Sequence, residues 1–251
     1  MNAIETVKQV LLASGAGWIL WFLGVLSAAS LALAAERWLY LRRRGGDLEA
    51  LARTLDADLA AGAFEKARAM LGDSQAVAAR VADAGLRLAD RGPAAAEKAM
   101  QSATALERTR LERGLAFLAT VGNNAPFLGL FGTVVGVIHA FEELGHAAPG
   151  HGATAAGQVA SQAVMASIAE ALVATAVGIF VALPSVALYN YLQRRVASLL
   201  AGTDVLTNLV LAYLAEADDR EDDDGGGPPP QEEKRGAQRG ARGGEVARGA
   251  I

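Results

Sequence analysis

One carboxyl and two hydroxyls lie inside long apolar runs of this chain. Glu170 is the only Asp, Glu, Lys or Arg in the run 144–193, Thr175 follows it there, and Thr133 lies in the charge-free run 114–141. Holding an ionised acid at mid-bilayer costs roughly 2.5–3.5 kcal/mol. Loss of hydration favours the neutral acid, so such a group takes up and releases protons near neutral pH. The pattern indicates a proton relay, with a structural or outward-snorkelling Glu as the alternative.

Helix geometry places these polar groups at neighbouring depths. Thr133 is eight residues from the end of its run at Phe141, or about 12 Å at the helical rise. Glu170 is six residues after Val164, or about 9 Å by the same rise, and Thr175 lies about one and a half turns deeper. We therefore expect Glu170, Thr133 and Thr175 to line a polar path. The alternative for each threonine is a bond to its own helix backbone.

Three segments are long and apolar enough to cross a bilayer. The runs 114–141 and 164–192 each exceed the roughly 20 residues that a spanning helix needs. The run 17–41 carries Trp18 and Trp38 near its two ends, as interfacial aromatic residues do. A cleaved signal peptide is disfavoured, because its apolar core would run for only about 7–15 residues. The sequence predicts three transmembrane helices.

The positive charges predict the topology. The segment 42–113 carries 13 Lys and Arg against 11 Asp and Glu, whereas the segment 142–163 has no Lys or Arg at all. By the positive-inside rule, 42–113 and the C-terminus face the cytoplasm. The N-terminus and the loop 142–163 then face the opposite side.

The segments outside the spans are predicted to be helical up to the tail. Residues 1–16 fit a short interfacial helix, with an unstructured start as the alternative. In 42–113, leucines follow helical spacing from Leu48 to Leu59, and Gly92-Pro93 marks a helix start from which a single helix runs into the second span. Residues 193–215 extend the third span as a cytoplasmic helix. The acidic, Gly/Pro-rich segment 216–251 is predicted to be disordered.

Small residues follow one face of the second and third spans. Such faces let membrane helices approach closely, against each other or against copies of the chain. The predicted packing residues are Gly129, Gly132, Gly136, Ala174 and Gly178.

Composition excludes several functional classes. The chain has no Cys, and its three His lack metal-ligand spacing, so we expect no metal and no cofactor. The net charge of −4 gives no support for a nucleic-acid partner. The loop 42–113 contains no His, Cys or catalytic motif, so we expect no enzyme.

Two long motifs resemble those of the ExbB/TolQ proton-channel family, with the flagellar stator MotA as a distant relative. They are FLATVGNNAPFLGLFGTVVGVIHAF in the second span and SIAEALVATAVGIFVALPSVALYN in the third. The resemblance covers about a third of the chain. The polar pathway residues of the family fall here on Thr133, Glu170 and Thr175.

This resemblance implies an all-α integral membrane protein whose copies form a ring, a pentamer in the family. Its second and third helices would be long and extend into the cytoplasm as a helical bundle. It implies a bacterial inner-membrane location with a periplasmic N-terminus. The expected partner is a single-span ExbD/TolR-type protein that supplies an Asp, with a TonB- or TolA-like protein beyond it.

The implied function is a proton channel that couples proton-motive force to mechanical work, in TonB-dependent import or a Tol-Pal-like process. A non-conducting structural membrane scaffold is the alternative. A carboxyl and hydroxyls serve H⁺ or Na⁺, so the ion stays open between the two. A secondary transporter is disfavoured, because three spans without an internal repeat give too little protein for a midplane substrate site.

Overall fold

The structure is a computed structural model that describes residues 17–146 and 155–224, and all regular secondary structure in this part is helical. The all-α prediction is therefore confirmed. The predicted interfacial helix at 1–16 and the tail beyond residue 224 lie outside the described residues. The helices are α1 (Gly17–Arg44), α2 (Leu48–Ala60), α3 (Phe64–Asp73), α4 (Val77–Leu86), α5 (Pro93–Glu112), α6 (Leu115–His146) and α7 (Ala155–Asp224), with a 3₁₀ turn at Ala89–Arg91.

Three of these helices, α1, α6 and α7, have the length and apolar character needed to cross a membrane, as predicted. The 70 residues of α7 give it a length of about 105 Å. The hydrocarbon core of a bilayer is only about 30 Å thick. Most of α7 therefore lies beyond a single crossing, where other helices of the chain can pack against it.

The antiparallel pair α6 and α7 forms the most extensive helix contact, and α1 packs against both. Ile19 and Leu23 of α1 are buried in one cluster with Val135 of α6 and Val181 of α7. Beyond this cluster, Glu143 near the C-terminal end of α6 lies beside Ser167 of α7. We call this end of the molecule the hairpin end. The opposite end, where α2–α5 pack around α7, is called the bundle end.

The bundle end has an apolar core built from amphipathic helices. Leu55 and Leu59 of the predicted leucine stripe are buried in α2, and they share this core with Met100 of α5 and with Leu206 and Val210 of α7. The hydroxyl of Tyr213 donates a 2.8 Å hydrogen bond to Asp56 Oδ1 of α2. This bond and the nearby negative charge raise the pKa of Tyr213. Together these contacts attach the loop helices to the extension of α7.

The prediction of one continuous helix from Pro93 into the second span is wrong. Helix α5 does begin at Pro93, but it ends at Glu112, and Gly114 takes a φ of +81° before α6 starts. Side chains other than hydrogen disfavour that left-handed conformation, so glycine makes the break possible. A Cβ at Gly114 would also lie 3.2 Å from Leu33 Cδ1 of α1. Of the second and third spans, α7 therefore continues into the bundle and α6 does not.

Two predicted boundaries also differ from the structure. Helix α6 continues to His146 and α7 starts at Ala155, so helices cover much of the predicted loop 142–163. The alanine-rich start of α7 favours helix without any hydrophobic stripe. At its other end α7 continues to Asp224, although disorder was predicted from residue 216. Adding one residue to an existing helix is much easier than nucleating a new one.

Glu107 of α5 is a buried carboxylate held by two arginines. Its side chain is only 5% exposed, and its Oε1 accepts hydrogen bonds from Arg80 at 3.1 Å and from Arg110 at 2.6 Å. Arg80 comes from α4, so the cluster connects two helices of the bundle. Burying a carboxylate without such partners is strongly destabilising.

The double change Arg80→Ala, Arg110→Ala is expected to lower stability by roughly 2 kcal/mol. This is below the cost for a fully buried pair, because both arginines are about half-exposed and solvent screens their charge. Thermal unfolding in detergent, followed by circular dichroism, measures the effect. Arg53→Ala breaks only the exposed Glu49–Arg53 pair of α2 and should change stability by about 0.5 kcal/mol at most. Equal effects of the two changes would contradict the role given to Glu107.

Gly114→Ala is expected to destabilise the protein by about 1–3 kcal/mol, because alanine strains the left-handed backbone. Gly24→Ala is the matched control, since Gly24 is helical with open space around it. The same unfolding measurement should show little loss for Gly24→Ala. An unchanged unfolding temperature for Gly114→Ala would show that the break between α5 and α6 does not need glycine.

Candidate functional site

The contact between α6 and α7 depends on glycines, which have no side chain to separate the two backbones. A Cβ at Gly129 would lie 2.8 Å from the Ala174 carbonyl oxygen, and one at Gly178 would lie 2.7 Å from the Ala125 carbonyl oxygen. Contacts this short do not occur for real Cβ atoms. The backbones of the two helices therefore touch at this depth, as small-residue faces allow in membranes.

The other predicted packing residues lie along the same contact. A Cβ at Gly132 would come 2.7 Å from Ala174 Cβ, and one at Gly136 would come 2.6 Å from Ala171 Cβ. Gly136 is thus opposite Ala171 and Gly132 is opposite Ala174, which fixes the register of the two helices. All five predicted packing residues belong to the interface within one chain.

Sequence reasoning missed one member of this stripe, Gly122. A Cβ there would lie 2.6 Å from Val186 Cγ2 and 3.1 Å from the Val186 backbone nitrogen. The signal was present, because Gly122 and the buried Ala125 continue the helical spacing of Gly129 towards the bundle end. The close contact therefore extends further along α6 than predicted.

The two threonines make different contacts. Thr175 Oγ1 donates a 3.1 Å hydrogen bond to the Gly129 carbonyl oxygen and so connects α7 to α6. Thr133 Oγ1 donates to the Leu130 carbonyl oxygen of its own helix at 2.6 Å, which is the alternative considered for a membrane threonine. One of the two hydroxyls is thus engaged in the helix contact and the other in its own backbone.

Glu170 lies on another side of α7. Its side chain is exposed, and its Oε1 lies 3.2 Å from the position that a Cβ would take at Gly17 of α1. Five residues of helix turn the chain by about 140° between Glu170 and Thr175. Within the described residues Glu170 forms no hydrogen bond or ion pair. Within one chain Thr175 therefore contacts α6, whereas Glu170 lies beside α1. Among the described residues no hydrogen bond joins Glu170 to either threonine.

A second polar group at the hairpin end was not singled out from the sequence. His139 Nε2 and Glu143 Oε1 of α6 are 3.4 Å apart, and Ser167 Oγ of α7 donates a 3.2 Å hydrogen bond to Glu143 Oε2. We call these three residues the mouth cluster. The His–Glu spacing of four residues was a usable signal, because such residues are neighbours on a helix face.

The described residues offer no set of three or more His, Asp or Glu that could hold a metal. The polar groups described above are the carboxyl of Glu170, the hydroxyls of the two threonines and the imidazole–carboxylate pair of the mouth cluster. These groups can bind and exchange protons.

A family profile and individual relatives both relate this chain to the same protein family. Residues 73–204 match the profile of the MotA/TolQ/ExbB proton channel family. The biopolymer transport protein ExbB of Neisseria gonorrhoeae is 45% identical over 98 residues, which cover 39% of this chain and 37% of that protein. The Tol-Pal system protein TolQ of Haemophilus influenzae is 46% identical over 99 residues, which cover 39% of this chain and 40% of that protein. The alignments therefore span about two fifths of the length of these curated relatives.

Gly129→Leu is expected to prevent α6 and α7 from packing, because the Gly129 position faces backbone atoms that cannot move aside. The change should remove the folded protein from the membrane fraction or lower its unfolding temperature strongly. Gly145→Leu lies on the same helix with nothing within 4 Å and is the matched control. Normal amounts and stability of the Gly129→Leu protein would contradict the backbone contact described above.

Proposed function

Because the chain belongs to the MotA/TolQ/ExbB proton channel family, we propose that it is the proton-channel ring subunit of an inner-membrane energy-transducing motor. The observation that carries this proposal is Glu170, an exposed acid in an apolar helix with no hydrogen-bond or ion-pair partner among the described residues. An acid at membrane depth faces a cavity or a polar partner, because hydrocarbon cannot solvate it. The partner of Glu170 would then come from outside this chain.

Two sources of that partner follow from the family. Copies of the chain would assemble into a ring, with a pentamer as the expected form. A single-span membrane protein of the ExbD/TolR type would lie inside the ring and supply an Asp. Proton transfer between that Asp and Glu170 would drive relative movement of ring and partner, and a TonB- or TolA-like protein would transmit the work.

Location and orientation follow from the charges. We place the bundle end in the cytoplasm, because the loop 42–113 carries 13 Lys and Arg. The N-terminus and the hairpin end would then face the periplasm. This arrangement puts Glu170 nearer the periplasmic side, where a proton-motive force supplies protons.

Relatives named ExbB and TolQ match at nearly the same identity, so the proposal covers TonB-dependent import and a Tol-Pal-like envelope process alike. The proposed ion is H⁺, and Na⁺ is the alternative to test. Glu170, Thr133 and Thr175 remain the proposed pathway residues.

A non-conducting structural scaffold is the second candidate. It is supported by the close α6–α7 contact at Gly129 and Gly178, which holds the two helices together. A scaffold would tolerate loss of the acid and depend only on the glycines. The two candidates therefore differ in what happens when Glu170 changes.

Glu170→Gln is expected to abolish proton flux, because glutamine has similar size and polarity but cannot carry a proton. The chain is purified from its own host with its co-purifying partners and reconstituted into liposomes that contain a pH-sensitive dye. Replacing the H⁺ gradient by a Na⁺ gradient, with a Na⁺-sensitive dye inside the liposomes, identifies the ion.

Glu216→Gln is the matched control, since Glu216 is an exposed acid of the same helix that pairs with Arg220. It should conduct as the unchanged protein does. Unchanged flux in Glu170→Gln, at normal amounts of assembled protein, would refute the channel role and favour the scaffold.

A further inference from the structure

The mouth cluster has the composition of a proton-transfer site. His139 and Glu143 are each about one third exposed, so they reach both solvent and the interior of the helix pair. Among the described residues the buried Nδ1 of His139 has no hydrogen-bond partner, so Nε2 is the nitrogen that faces Glu143 and solvent. Imidazole is also the side chain that exchanges protons most readily between pH 5 and 8.

The cluster lies beside Glu170. Ser167 and Glu170 are three residues apart on α7, which makes them neighbours on the helix surface with Cβ atoms about 5–6 Å apart. A single bridging water covers such a gap. The cluster connects the hairpin end to this point, since Glu143 reaches Ser167 from α6.

The contact between α6 and α7 is closed directly below the cluster. A Cβ at Gly136 would lie 3.2 Å from the Ser167 carbonyl oxygen and 2.6 Å from Ala171 Cβ. No proton path can therefore run between the two helices at this depth. A route from the cluster must pass along the flank of α7, where Glu170 lies.

We propose that the mouth cluster delivers protons from the hairpin side of the membrane to Glu170. This inference rests on the proposed channel function and adds a titratable residue pair to it. His139 Nε2 accepts a proton from water on the hairpin side and then releases it to Glu143 Oε1, so the imidazole returns to its neutral form while the buried Nδ1 keeps its hydrogen throughout. Glu143 then passes the proton through the Ser167 hydroxyl and a water molecule to the Glu170 carboxylate.

The charged surroundings of His139 are few. Glu142 and Glu143 belong to its own helix, and Glu170 is the acid that α7 presents nearby. Within the described part of α1 the first charged residue is Glu36, at the other end of that helix. The pH dependence of proton uptake should accordingly reflect the His139–Glu143 pair.

The test compares proton flux into liposomes for the chain purified with its native partners, at outside pH values from 5 to 8. His139→Gln and Glu143→Gln should each lower the flux several-fold and flatten its dependence on outside pH, and Ser167→Ala should lower it less. Ser30→Ala is the control, because it removes a buried membrane hydroxyl that has no hydrogen-bond partner among the described residues, and its flux should equal that of the unchanged chain. Glu170→Gln is measured alongside.

The outcomes separate this proposal from the one on which it rests. Loss of flux in Glu170→Gln with unchanged rate and pH dependence in His139→Gln and Glu143→Gln would overturn the delivery role alone. Unchanged flux in Glu170→Gln would overturn the channel function itself. A uniform loss at every pH, matched by a lower unfolding temperature, would show that the cluster is only a clamp between α6 and α7 and would overturn its role in transfer.

Discussion

The backbone contact between α6 and α7 fixes the relative depth of the polar groups on these two helices. Gly129 and Gly178 each face a carbonyl oxygen of the opposite helix, and no side chain larger than hydrogen fits between them. In a bilayer, lipid tails are as apolar as leucine, so helices associate through close packing rather than through a hydrophobic gain. A one-residue slip would place a Cβ against backbone. The register of the pair is therefore determined by its glycines.

This contact also decides which residues remain available to other molecules. The small-residue faces of α6 and α7 pack against each other within the chain, and Thr175 donates a hydrogen bond to the Gly129 carbonyl oxygen. Glu170 is left on the flank towards α1, exposed and without a partner in the described part. The arrangement suits a subunit whose reactive acid is completed by a neighbouring molecule.

The bundle end packs on α7 and is divided from α6 by a break in the helix. Buried leucines of α2 and α7 share one core, and Tyr213 of α7 donates to Asp56 of α2. Gly114 interrupts the chain between α5 and α6 with a positive φ. A displacement of α7 along or about its axis would thus be transmitted to the bundle directly, whereas α6 would follow through its contacts with α7 and α1.

Much of this protein is determined by its sequence, because the bilayer constrains composition strongly. Apolar length identified α1, α6 and α7, charge asymmetry predicted an orientation, and the spacing of Gly129, Gly132 and Gly136 indicated a packing face. The family resemblance, confirmed by the match of residues 73–204, came from the same segments. These features are local in the chain, so a reader of the sequence can find them.

Tertiary structure decided the features that depend on two elements at once. The depth of a residue along a helix follows from counting residues, but the group that its side chain contacts depends on which helix packs beside it. Glu170 and Thr175 were predicted at neighbouring depths, and five residues of helix turn them about 140° apart. Only the packing of the helices decided that Thr175 faces α6 and Glu170 faces α1. The break at Gly114 was missed because a lone glycine is compatible with a helix, and its φ depends on how α6 packs beside Leu33. The link from Glu143 to Ser167 spans 24 residues and exists only because the glycine contact brings the two helices together.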